Sequence, residues 1–136
     1  MHATSAASPV KWDEKPYNDL PSPTRMTKAS VEFAFKGQLD GQGQTEYLMF
    51  YSEYNEKDPH KATAVYLGLT RFKGSLNGKS GSFVMEEHGT FREGVANSVS
   101  TIVAGSGTEQ LKGITGTVKA SATQQGMHVE LKYELT

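Results

Sequence analysis

The chain has 136 residues, 36% hydrophobic and 21% charged, with 14 lysines and arginines against 15 acids for a net charge of -1. That length suits one domain with a real core, and the lack of a basic excess argues against nucleic acid and anionic membrane surfaces as partners. The absence of cysteine excludes disulfides and thiolate metal sites. No basic-then-apolar leader and no membrane-length apolar run is present, so a cytoplasmic protein is expected.

The first nine residues, "MHATSAASP", are small and polar and are expected to be flexible, with one domain following over 10–136. "VKWDEKPY" reads as the first strand, with Trp12 and Glu14 on one face and Asp13 on the other. From Ala29 the apolar period is two. "SVEFAFKG" alternates Val31, Phe33 and Phe35 with polar residues.

Next come "TEYLMFYSE", "ATAVYLGLTRF", "GSFVMEEHGTF", "VANSVSTIVA" and "ITGTVKASA", all rich in β-branched and aromatic residues. The last segment, "MHVELKYEL", places Met127, Val129, Leu131, Tyr133 and Leu135 on one face. Connections are expected at 37–43, 55–60, 76–78, 92–94, 105–113 and 124–126, and no window carries an amphipathic helix of ten residues. About eight strands with short links imply an antiparallel barrel or sandwich.

Two of these strands are apolar on both faces. "EYLMFY" sets Tyr47, Met49 and Tyr51 against Leu48 and Phe50, and "AVYLGL" sets Val65, Leu67 and Leu69 against Tyr66 and Gly68. Such strands need a second cover, so a homo-oligomer (dimer or trimer) is expected; cover from the N-terminal segment is the alternative.

The glycine-rich "KGSLNGKSG" (73–81) has the ending of a phosphate loop but lacks one residue of its spacing, and strand-like "GSFVMEE" follows where a helix is needed. Asn77-Gly78 between alternating segments is instead a hairpin turn. "GSGTEQLKG" (105–113) has Gln110 where a dinucleotide fingerprint needs its third glycine, and reads as a connection with positive φ. There is no G-x-S-x-G.

The four histidines have no metal-ligand spacing; Glu86 and His88 share a strand face, as polar side chains facing water at a strand end would without any ligand. No metal and no cofactor is expected. Glu14 travels with Trp12, and Glu46 shares a face with Leu48 and Phe50. A carboxylate in apolar company is salt-bridged, with Arg71 as a partner, or sits at a barrel rim, or belongs to a pocket.

"WDEKPY", "GQLDGQGQTEYLMFY", "VYLGLTRFKGSLNGKSGSFVMEEHGTF", "GSGTEQLKGITG" and "LKYEL", in this order from Val10 to Leu135, resemble a bacterial family described as a domain of unknown function. That family is related in fold to plant allene oxide cyclases and more distantly to dirigent proteins. The resemblance implies a closed, eight-stranded antiparallel barrel, and marks among others Trp12, Glu14, Glu46, Tyr47, Gly68, Phe83, Gly89 and Phe91.

One departure shows. The family's Ser-Gly-Thr-Gly-Glu-Leu reads Ser106-Gly107-Thr108-Glu109-Gln110-Leu111 here. The resemblance implies no activity.

The reading that follows is a barrel binding a small apolar or amphipathic ligand, with Trp12, Glu14, Glu46, Tyr66, Arg71 and Phe83 as candidate interior residues. A cofactor-free isomerase or cyclase using a pocket carboxylate and a structural or stress-related oligomer with a filled barrel are the alternatives.

Overall fold

A computed structural model describes residues 1–17, 21, 23–54, 57–58 and 61–136. Eight strands form one closed barrel in sequence order: β1 (His2–Pro16), β2 (Arg25–Gly37), β3 (Leu39–Glu53), β4 (Thr63–Leu76), β5 (Lys79–Arg92), β6 (Val95–Ile102), β7 (Thr115–Thr123) and β8 (Gly126–Glu134). Every neighbouring pair is antiparallel, and β1 closes the barrel on β8. A 3-10 turn, Glu109–Leu111, interrupts the connection from β6 to β7.

The alternation read along each segment becomes an inside and an outside. Val31, Phe33 and Phe35 of β2, and Val129, Leu131 and Tyr133 of β8, point into one core. Asn77 and Gly78 adopt φ of 48° and 84°, the double positive φ of a type I′ turn, and Leu76 pairs with Lys79 across it. The 37–43 connection is tighter than the composition implied. Strand β2 runs to Gly37 and β3 begins at Leu39, so residues 39–43 pair with β2 and β4 rather than looping. Of the expected connection at 55–60, residues 55, 56, 59 and 60 lie outside the described residues.

The N-terminus corrects the sequence reading. Residues 2–9 are the first half of β1 rather than a segment ahead of the barrel, and His2 through Ala7 pair with β8 from Lys132 to Met127. Their composition is polar because small side chains suit the crowded interior there, with Ala3, Ser5 and Ala7 turned inward and buried. The Ser5 hydroxyl donates to the Leu39 carbonyl at 2.7 Å.

A register shift between Pro9 and Lys11 then marks a bulge at Val10. Before it odd-numbered residues point inward. After it Trp12 pairs with Val31 and Glu14 with Ala29, so even-numbered residues take the inner face.

The barrel is filled at one end only. Phe72, Phe83, Leu39, Leu76, Leu111 and Ile114 are buried to 1% exposure or less where the β2–β3 and β4–β5 turns meet the 3-10 turn. The Phe72 and Phe83 rings pack 5.1 Å apart, and Phe35 meets Phe72 edge-on at 5.6 Å. Asn77 Nδ2 donates to Tyr133 Oη at 2.6 Å, tying the β4–β5 turn to β8.

Candidate ligand cavity

Toward the opposite end the packing gives way to a cavity of about 900 Å³. Its wall is built where β1, β3, β5 and β7 end and where β2, β4, β6 and β8 begin. Trp12, Glu14, Thr27, Phe33, Tyr47, Tyr51, Tyr66, Glu87, Phe91, Ser98 and Met127 all line it. A space of this size falls within the range that holds small organic ligands. It also rules out a barrel filled with side chains along its whole length.

Two carboxylates stand in this wall, each hydrogen-bonded by a tyrosine. Tyr51 Oη donates to Glu14 Oε2 at 2.7 Å, Thr27 Oγ1 donates to the same oxygen at 2.7 Å, and Trp12 Nε1 donates to Glu14 Oε1 at 2.9 Å. Tyr47 Oη donates to Glu87 Oε1 at 2.7 Å. The rings join the two groups into one surface: Trp12 stacks on Tyr47 with centroids 6.4 Å apart, and Tyr47 meets Tyr66 edge-on at 5.5 Å.

Two glycines make room for those rings. A Cβ on Gly68 would lie 2.6 Å from the Glu46 carbonyl oxygen and 2.7 Å from the Tyr47 ring. A Cβ on Gly89 would lie 2.2 Å from Cζ of Tyr66.

All three phenols stay protonated far above the usual range. Burial and then the Glu87 charge push Tyr47 up. Burial and then the hydrogen bond to Glu14 raise Tyr51, and burial followed by the Glu87 charge raises Tyr66. These tyrosines therefore act as neutral hydrogen-bond donors that hold their own protons. At the rim, the Arg25 guanidinium lies 4.0 Å above the centre of the Tyr54 ring.

The candidate residues separate clearly. Trp12, Glu14 and Tyr66 line the cavity. Phe83 points inward but lies in the packed end, fully buried. Glu46 and Arg71 do not belong to the interior: both are exposed on the outer wall, where Glu46 accepts a hydrogen bond from Ser30 Oγ. Glu46 does share its face with Leu48 and Phe50, but that apolar face is the outer one, and no ion pair joins it to Arg71 among the described residues. Glu86 and His88 are likewise on the outside, and no group of three or more metal-ligating side chains occurs among the described residues.

The sequence reading missed Glu87, Tyr47, Tyr51 and Thr27 as site residues. Counting by two from Phe83 through Met85 reaches Glu87, then Gly89 and Phe91, so period two alone places that carboxylate indoors.

Fold and cavity together define a closed eight-stranded antiparallel barrel with one packed end and one carboxylate-bearing, ring-walled end. The chain belongs to the DUF3224 family, proteins of unknown function, whose profile matches residues 3–135. Its backbone is similar to that of a DUF3224 protein of unknown function from Shewanella oneidensis MR-1. The TM-score is 0.75 at 20% sequence identity, with 100% of this chain and 98% of that one covered. At that identity the likeness speaks for the fold alone. No curated protein matches the chain. Among the described residues, no helix is long and apolar enough to cross a membrane.

Proposed function

We propose that this barrel binds a small amphipathic molecule in the cavity above its packed end. The observation that carries this reading is an aromatic-walled space of about 900 Å³ with two carboxylates set into the wall. Apolar burial would supply most of the affinity, at about 25 cal/mol per Å² removed from water, and the polar groups would orient the guest.

A thermal-shift screen of fatty acids, alcohols and amines tests the reading, run on the wild type, on Glu14→Gln and on Glu46→Gln. A ligand should raise the melting temperature of the wild type and of Glu46→Gln, whose side chain is outside, and should raise that of Glu14→Gln less. If no compound shifts any of the three, the binding role fails.

A second reading, a cofactor-free isomerase or cyclase, is favoured by one arrangement: each carboxylate is paired with a phenol that holds its proton. A carboxylate would take a proton from the guest while a neutral tyrosine donates a hydrogen bond to developing negative charge. Turnover of a bound ligand, lost in Glu87→Gln while binding persists, distinguishes this from simple binding.

We also propose that the apolar outer face of β3 and β4 is covered by a second copy of the chain. The alternative cover is already used, since residues 2–16 run within the barrel wall between β2 and β8.

A further inference from the structure

We infer that the guest of the cavity is an organic cation, an amine or quaternary ammonium carrying an apolar body. This rests on the binding role proposed above and adds the charge of the ligand.

The charge balance of the wall carries the inference. The described residues lining the cavity include two carboxylates, Glu14 and Glu87, and a single positive side chain, Arg25, which is stacked on Tyr54 at the rim. An excess of negative charge remains inside an aromatic enclosure.

Every hydrogen bond that the carboxylates receive from described residues comes from an uncharged group: indole, threonine hydroxyl or phenol. Such donors satisfy lone pairs without neutralising charge. Among the described residues none donates to Glu87 Oε2, an acceptor that a guest ammonium can use.

The rings point the same way. Trp12, Tyr47 and Tyr66 form a continuous aromatic surface beside both carboxylates. Aromatic faces carry negative quadrupolar potential and attract ammonium groups, the more so where water is excluded. An anion such as a fatty carboxylate would face two like charges across a partly desolvated space. A neutral guest would gain the apolar walls but nothing from the charges. Only a cation uses both.

The test is a matched eight-carbon series: octylammonium, octanol and octanoate, titrated at pH 7 below their aggregation concentrations. Trp12 is the only tryptophan in the chain and stands in the cavity wall, so its fluorescence reports occupancy directly. Octylammonium should bind at least about tenfold more tightly than octanol, and octanoate should bind most weakly. Glu14→Gln and Glu87→Gln should each lower octylammonium affinity several-fold and lower octanol affinity much less, with circular dichroism checking that each variant is folded.

Should a variant unfold, the wild-type series still decides, because the ranking alone carries the charge preference. Octanol or octanoate binding as tightly as octylammonium overturns the cation and leaves the binding cavity standing. Failure of all three to bind overturns both.

Discussion

Tyr47, Tyr51 and Tyr66 hold their protons more tightly than ordinary phenols, and those protons can be counted. The chain has six tyrosines. These three are raised above the ordinary value near 10, first by burial and then by a neighbouring carboxylate. In a spectrophotometric titration they should fail to ionise near pH 10 and should appear only when the protein unfolds.

The sign follows from linkage. The unfolded chain releases these protons near pH 10 while the fold keeps them. Their contribution is therefore complete below pH 10 and is lost as pH rises beyond it. For Tyr47, which is 6% exposed, the loss approaches about 1.4 kcal/mol per pH unit above 10. Alkaline denaturation followed by circular dichroism should begin earlier in wild type than in Tyr47→Phe, measured relative to each protein's stability at pH 8.

Single residues also show where a linear reading stops. That Glu14 rides with Trp12 was visible in "VKWDEKPY", since they are two apart in a strand. Glu46 riding with Leu48 and Phe50 was equally visible, and pointed to the wrong side of the wall. Both faces of that strand are apolar, so apolar company does not say which face is inside.

Among the elements, β1 does the most unexpected work. Its first half looked like a loose leader because Ala and Ser dominate it, yet it completes the barrel by pairing with β8. Small side chains are what a crowded barrel end accepts, and the ladder's backbone hydrogen bonds need no particular side chain. Deleting residues 1–7 should expose the edges of β2 and β8. The melting temperature should fall by more than about 10 °C, or cooperative unfolding should disappear, with dimerisation or aggregation through the open edges. Unchanged cooperative melting would show that closure on β8 is dispensable.

Turns were the most legible elements. Asn77, Gly78 and Gly94 take positive φ, as their residue types favour, whereas Glu93 takes a φ of 51° that glutamate does not favour and only the turn imposes. The bulge at Val10 was not legible. It arises from the register of β1 against β2, and it is what turns Trp12 and Glu14 indoors.

At the scale of the molecule, the outer wall is itself unusual. Leu48, Val65, Leu67 and Leu69 are each 40% exposed or more on the neighbouring strands β3 and β4, and Val99 is 49% exposed on β6, one strand beyond β5. A closed barrel has no free edge, so the second copy proposed above would dock through side chains such as these. Light scattering coupled to size exclusion should find a dimer or trimer, and Leu67→Glu should return it to a monomer with unchanged circular dichroism. A monomeric wild type at micromolar concentration would end the oligomer proposal.

The sequence by itself determined the alternation of most strands, the Asn77-Gly78 turn and the family, because period and turn chemistry are local properties of the chain. Tertiary structure decided what the barrel does with them. Closure by β1, the phase change at Val10 and the packing of one end by Phe72, Phe83 and Leu111 together selected which apolar face became the interior. They brought Glu14 and Glu87, 73 positions apart in the chain, into one cavity wall. Such a meeting depends on how eight strands are registered around a barrel, and no local pattern contains that register.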